Sequence, residues 1–159
     1  MTRPPEAGSD AESGSGNDTG TYSSLDEVGR AVGGTLDRTL ITRMGIEVLE
    51  ASGQSVTARM PVDGNLQPYG VLHGGATAAL CETVGSIGAS IAAPDRMAMG
   101  IELNVNHLRS VGGGSITAVG TVLHSGRTTA VWDVRVTDDD GRLVAVGRLT
   151  LAVREVPKG

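Results

Sequence analysis

Residues 67–91 constrain the rest of the chain most. A loop rich in turn formers, 63–72, runs into a stretch from about 73 to 92 with helical character that stops at Pro94. The stretch contains Gly74, Gly75, Ala76, Ala78, Ala79, Leu80, Val84, Gly85, Ile87, Gly88 and Ile91. It is apolar or small on every face, and a helix of that kind belongs in the middle of a protein, wrapped by other elements. Between Asp63 and Asp95 the only formally charged residue is Glu82. One carboxylate near the middle of a buried helix is costly unless it is paired or used.

The wrapping is legible on both sides. Residues 44–51 and 54–62 flank Ser52-Gly53 and read as a hairpin, with Val56, Ala58, Met60 and Val62 alternating against Ser55, Thr57 and Arg59. Four further strands are expected at 97–110, 115–124, 127–137 and 142–154. In the first of these, Ile101, Leu103, Val105, His107 and Arg109 share one face; in the third, Ala130, Trp132, Val134 and Val136 face inward. Gly112-Gly113-Gly114, Ser125-Gly126 and Asp138-Asp139-Asp140-Gly141 read as tight turns. The last four strands are therefore expected to be antiparallel neighbours in chain order. No βα alternation is present, so no parallel sheet is expected. The predicted class is α+β, with one curved antiparallel sheet wrapped around one long central helix.

The start of the chain differs. Residues 25–43 are weakly helical, with Leu25, Val28, Val32, Leu36 and Leu40 at mostly 3–4 spacing and a break at Gly33-Gly34. Residues 1–24 carry no large aliphatic side chain after Met1 and are expected to be a disordered tail. That leaves 25–159 as a single domain, as the length of 159 residues suggests.

Composition excludes several classes. Aromatics make up 2% of the chain and Phe is absent, so the core is aliphatic and stacking platforms for bases are missing. A net charge of −5 also argues against a nucleic-acid partner. The single Cys81 rules out an intrachain disulfide and fits a reducing compartment. No apolar run reaches the roughly 18 residues of a membrane span, and no secretory h-region is visible, so a cytoplasmic location is expected. Three scattered His residues without Cys pairs argue against a metal site. There is no P-loop, GxGxxG or CxxC, and no cofactor is expected.

Gln67-Pro68-Tyr69-Gly70-Val71-Leu72-His73-Gly74-Gly75, with Glu82 nine residues after the His, resembles the hotdog-fold acyl-CoA thioesterases. The segment Gly100-Ile101-Glu102-Leu103-Asn104-Val105-Asn106-His107-Leu108-Arg109-Ser110 is similar to the strand after the helix in the same proteins. The narrower likeness is to the group of 4-hydroxybenzoyl-CoA, phenylacetate-pathway and 1,4-dihydroxy-2-naphthoyl-CoA thioesterases, and it runs from about 44 to 153. The resemblance implies a hotdog fold and hydrolysis of an acyl-CoA, with an aromatic acyl group suggested, to carboxylic acid and CoA. It implies Glu82 as the catalytic carboxylate and the Gly74 amide as the group polarising the thioester carbonyl. Gln67 and His73 would help to position that carbonyl, and Ser86 would assist Glu82 or its water. His107, Arg109 and Ser110 would lie towards the CoA moiety. Phenylacetate-pathway enzymes carry Asp where this chain has Glu82, which favours the Glu-type branch. Sites shared across subunits are implied, often in a homotetramer that is a dimer of dimers.

The residues support part of this unaided. A helix N-terminus offers free N–H groups and a positive dipole, and Gly74 and Gly75 lack a Cβ that would keep a ligand away. One oxyanion donor is worth roughly 3–4 kcal/mol in a transition state. The plainer alternative is that these glycines only permit the turn into the helix. Glu82 has Ala78, Ala79, Gly85 and Ser86 as its i±3 and i±4 neighbours, with no cation among them. It either does chemistry or pairs with an Arg from the sheet. Gly74 and Glu82 are eight residues apart, so about 12 Å along a straight helix. A reacting carbonyl needs both groups within about 3–3.5 Å of its own atoms. Either Gly74 is not the donor, or one subunit's Gly74 works with another subunit's Glu82 in an obligate dimer with two equivalent sites.

Other candidates read more plainly. Cys81 lies about 100° round the helix from Glu82 with no His at i±3 or i±4, which suits a buried thiol rather than a nucleophile. His73 falls on the far side of the helix from Glu82, in a structural or loop-positioning role. His107 and Arg109 could meet phosphate or pantetheine groups beside a CoA site, or form an exposed strand end. His124 has no identifiable partner. Pocket size is expected to depend on how Tyr69, Val71, Met97 and Met99 pack. Two other readings are a non-catalytic acyl-CoA-binding hotdog module, which would keep Arg109 and need no Glu82, and a hotdog dehydratase or hydratase.

Overall fold

A computed structural model of the chain describes residues 20–31, 34 and 36–156. Two short helices, α1 (Leu25–Ala31) and α2 (Leu40–Arg43), lead into β1 (Glu47–Ala51) and β2 (Ser55–Pro61). The long helix α3 (Gly74–Ala92) follows, and then β3 (Arg96–His107), β4 (Ser115–Ser125), β5 (Thr129–Asp138) and β6 (Leu143–Glu155). The strands form one six-stranded antiparallel sheet in the order β1-β2-β4-β5-β6-β3. Helix α3 packs across five of them, β2 to β6.

Strict alternation in β2 and β5 fixes which face of the sheet α3 covers. Val56, Ala58 and Met60 of β2 and Ala130, Trp132, Val134 and Val136 of β5 are buried, as their period-2 spacing predicts. Trp132, the single Trp, is 0% exposed under the helix. A Cβ added at Gly88 would overlap its ring and lie 2.5 Å from Cζ2; one at Gly85 would lie 2.6 Å from Leu149 Cδ2. The bare backbone at these two positions is what lets α3 settle onto the sheet.

One face of α3 is not wrapped. Ala78, Ala79, Glu82, Thr83, Ser86 and Ser90 are only half-buried, whereas Leu80, Cys81, Val84, Gly85, Ile87 and Gly88 face the core. The expectation of burial on every side is thus corrected: within one chain the helix keeps an open stripe, and Glu82 lies on it.

The order of the last four strands is also corrected. β3 pairs with β6, and β4 pairs with β2, so β3 and β4 are not neighbours. Gly112-Gly113-Gly114 lies in a crossover instead of a hairpin turn. After β3, the Leu108 and Arg109 amides donate to the Val144 carbonyl; then Val111 accepts from the Leu72 amide and Gly114 from the Val62 amide. The chain therefore passes the start of α3 on its way from the β6 side to the β2 side. The other turns form as predicted. Ser52 and Ser55 close the β1–β2 hairpin, Gly126 bonds to Thr129, and Gly141, with φ +74°, turns β5 into β6.

β3 is an edge strand of 12 residues, and among the described residues nothing pairs with its outer edge. A bulge between Gly100 and Glu102 resets its alternation. Ile101 is left 65% exposed, while Leu103 and Val105 pack on the core. The expected single face running from Ile101 to Arg109 is therefore broken, and Arg109 lies beyond the strand.

The reading of 1–24 as a disordered tail falls mostly on 1–19, which lie outside the described residues. Gly33, part of the expected break, also lies outside them; α1 ends at Ala31. Tyr22 is described, and exchanges two 2.8 Å backbone hydrogen bonds with Ala51 at the free edge of β1. Among the described residues no helix is long and apolar enough to cross a membrane.

Candidate active site

The start of α3 is organised by His73. Its backbone is extended (φ −72°, ψ 130°), and its Nδ1 accepts the Gly75 N–H at 2.8 Å. Its carbonyl accepts the Ala76 and Thr77 amides at 3.0 and 3.2 Å. His73 is thus a helix cap, with Nδ1 facing the Gly75 N–H. Three of the first four amides of the helix are occupied in this way; the Gly74 N–H has no protein acceptor among the described residues. It is a free donor at the positive end of a 19-residue helix.

That donor opens into a cleft of about 400 Å³ lined by Gln67, Gly74, Thr77, His107, Arg109 and Ser110. Gln67 is held by a turn in which its amide donates to the Val71 carbonyl at 2.8 Å and its carbonyl accepts the Gly70 amide at 3.0 Å. Gly70 takes φ +74°, which favours glycine. His107 stands against the helix start, with its Nε2 3.1 Å from where a Cβ on Gly74 would be. The crossover after β3 brings Arg109 and Ser110 to the same wall. The structure therefore gathers Gln67, His73, Gly74, His107, Arg109 and Ser110 at one end of α3. Val71 lines this cleft as well, while Tyr69 is 87% exposed and Met97 and Met99 lie on the exposed edge strand.

Glu82 and Ser86 lie elsewhere. Ser86 Oγ is 3.5 Å from Glu82 Oε1, at the outer limit of a hydrogen bond. Burial pushes the Glu82 carboxyl above its ordinary range, and the Ser86 hydroxyl pulls it part of the way back. No Lys, Arg or His forms a salt bridge with Glu82 among the described residues. The alternative of an Arg partner from the sheet is not realised. Glu82 opens into a second cleft of about 250 Å³, with Leu36, Ile41, Thr83, Ser86 and Ile87. The two clefts share no lining residue.

Cys81 points the other way, into the core. A Cβ on Gly147 would lie 3.2 Å from its Sγ, and burial pushes its thiol up to about 12, so it is a poor nucleophile. Among the described residues no three His, Cys, Asp or Glu side chains form a group that could hold a metal ion.

Four residues around the two clefts escape a reading of the sequence. Gly100 faces Glu82: a Cβ there would overlap Oε1 and lie 2.8 Å from Cδ. Its position depends on the bulge, which alternation cannot reveal. Asn65 donates from Nδ2 to the Met44 and Pro61 carbonyls, both at 2.9 Å, and its carbonyl accepts the His73 amide. It ties the end of α2, the end of β2 and the cap of α3 together. Leu36 and Ile41 reach Glu82 only through the tertiary fold.

An antiparallel sheet across a long helix that offers, among the described residues, a free N-terminal amide and a mid-helix carboxylate without an ion-pair partner is the arrangement that the resemblance to hotdog thioesterases implies. The comparisons agree. Residues 69–145 match the family model described as Thioesterase superfamily. The chain is 38% identical over 125 residues to the proofreading thioesterase EntH of Cronobacter turicensis, covering 77% of this chain and 91% of that protein. It is 36% identical over 117 residues to the 1,4-dihydroxy-2-naphthoyl-CoA hydrolase of Listeria monocytogenes, covering 72% and 95%. The crystal structure of thioesterase HI1161 from Haemophilus influenzae superposes with a TM-score of 0.77 at 33% identity, covering 86% of this chain and 94% of that one. The chain belongs to the thioesterase superfamily, and it is a thioester hydrolase.

Proposed function

We propose that the chain hydrolyses aromatic acyl-CoA thioesters, with Glu82 and the Gly74 amide contributed to each site by different subunits. The observation that carries this reading is the separation of the two clefts. A donor and a carboxylate that have no acceptor and no ion-pair partner among the described residues, about 12 Å apart on one helix, face different cavities of the same chain.

The free edge of β3 offers a way to join them. Gly100 of β3 lies against Glu82, and His107 of the same strand lies against Gly74. Antiparallel pairing of β3 with a second copy, centred between Leu103 and Asn104, would set Gly100 opposite the second copy's His107. Each Glu82 would then approach the other chain's Gly74. The same pairing would cover the open stripe of α3. A further association of two such dimers would give the homotetramer, and the buried thiol of Cys81 suits a cytoplasmic setting.

In this site the thioester carbonyl accepts the Gly74 N–H, with Gln67 lining the same cleft. His107, Arg109 and Ser110 hold the CoA end. Glu82 takes a proton from water as the water oxygen bonds to the carbonyl carbon, and the developing oxyanion is stabilised by the Gly74 amide. Collapse breaks the C–S bond, and the CoA thiolate takes up a proton. A raised Glu82 makes a stronger base at working pH. In a second route the Glu82 carboxylate attacks the carbonyl carbon itself, and water then hydrolyses the mixed anhydride. Single-turnover hydrolysis in heavy-oxygen water separates the routes, because label enters Glu82 only through the anhydride.

The test of the reading is thiol release from a panel of aryl-CoA and fatty-acyl-CoA substrates by the wild type and by Glu82→Ala. Aryl-CoA should be preferred in kcat/KM, and the variant should lose that activity. An unimpaired Glu82→Ala enzyme would sink the assignment.

A further inference from the structure

Resting on the acyl-CoA reading above, we infer that Leu36 and Ile41, in the segment before β1, form the wall that limits the size of the acyl group beside Glu82. Both side chains line the Glu82 cleft opposite the hydroxyl-bearing stripe of α3. Both are half-buried and pack against the core. They lie outside residues 69–145, the part that matches the family model. The common core thus supplies the carboxylate, and a segment outside it supplies the wall.

The wall is built firmly. The Leu36 carbonyl accepts both the Thr39 N–H at 3.3 Å and the Thr39 Oγ1–H at 2.5 Å. The Ile41 carbonyl accepts the Ile46 amide at 2.9 Å, so α2 is tied directly to the start of the β1 hairpin. Asn65 then links Met44, which follows α2, to His73, whose amide its backbone carbonyl accepts. A side chain on this segment is therefore placed relative to α3, and hence relative to Glu82.

The chemistry of the cleft states what it takes. Leu36, Ile41 and Ile87 make it apolar on one side, and Thr83, Ser86 and Ser90 carry hydroxyls on the other. Thr83 Oγ1 is committed to the Ala79 carbonyl at 2.8 Å, whereas the Ser90 hydroxyl has no acceptor or donor among the described residues. An apolar wall facing a hydroxyl-bearing stripe suits a compact acyl group of one ring or similar bulk with a polar edge, and Leu36 and Ile41 stand where a larger group would extend.

The experiment measures kcat/KM for benzoyl-CoA, 2-naphthoyl-CoA and palmitoyl-CoA in the wild type, Leu36→Ala, Ile41→Ala, and the milder Leu36→Val and Ile41→Val. Free CoA as inhibitor reports the other end of the site. Removing the wall should raise the ratio of naphthoyl to benzoyl kcat/KM at least about tenfold, with the inhibition by free CoA unchanged. The Val variants should move the ratio in the same direction by less, which covers the case of an Ala variant that does not fold. A ratio that stays at the wild-type value in folded variants, or a CoA inhibition constant that moves with it, would overturn the wall. A wild type that hydrolyses none of the three esters would overturn the acyl-CoA reading, and this inference with it.

Discussion

The Glu82 carboxyl sits half-buried on the open stripe of α3, with Ser86 Oγ 3.5 Å away and its pKa held above the usual carboxylate range by burial. A base acts only when ionised, so the acid limb of kcat/KM should lie above the ordinary carboxylate value. Ser86→Ala removes the contact that opposes the shift, and its pH–rate profile should move that limb further up. The same shift has a stability consequence. Between the ordinary and the raised value the folded chain keeps a proton that the unfolded chain has lost. Unfolding then releases protons, so stability falls as pH rises through that window. Glu82→Gln removes this loss. Its melting temperature at neutral pH should exceed the wild-type value, while hydrolysis drops about 10²–10⁴-fold. A variant that is both inactive and less stable would contradict the account. Gly100→Ala tests the placement of the same carboxylate from the opposite strand. Its Cβ would occupy the Glu82 Oε1 position, so kcat should fall with a displaced acid limb, and the fold should be retained.

At the scale of elements, α3 and β5 fit only because glycines on one face the ring on the other. Gly88→Ala places a methyl in the space of Trp132, and should destabilise the chain by about 1–3 kcal/mol in chemical denaturation. Trp132→Leu in the same chain should recover part of that loss, since the pair shares one volume. Trp132 Nε1 is also buried without a hydrogen-bond partner among the described residues, so replacing the ring does not strand a second group. These contacts also show what the sequence could and could not say. The alternation of β2 and β5 and the extent of α3 follow from local spacing, because each is decided by which face is buried. The place of β3 is not local. A triple glycine fits a hairpin turn and a crossover equally well, and the pairing of β2 with β4 decides between them. The bulge at Gly100 depends on the pairing with β6 in the same way. Of the candidate site, Gly74, Gln67, Glu82 and Ser86 could be proposed from one motif. Leu36, Ile41, Asn65 and Gly100 were not, since distant segments bring them there.

For the whole molecule, the account depends on two half-sites that one chain cannot join. Among the described residues, each copy offers a free Gly74 amide in one cleft and a Glu82 without an ion-pair partner in another. The most direct test mixes two inactive variants, Glu82→Ala and Gly74→Pro, after separate purification. Proline at the first helical position keeps the helix and removes the N–H, and Gly74→Ala, which keeps the N–H, controls for crowding against His107. In a mixed dimer one site has both groups intact and the other has neither. With random exchange, half the dimers are mixed and half of their sites work, so the account predicts recovery of about a quarter of wild-type specific activity. Mixed dimers that form, as seen by native mass spectrometry, yet stay as inactive as their parents would contradict it.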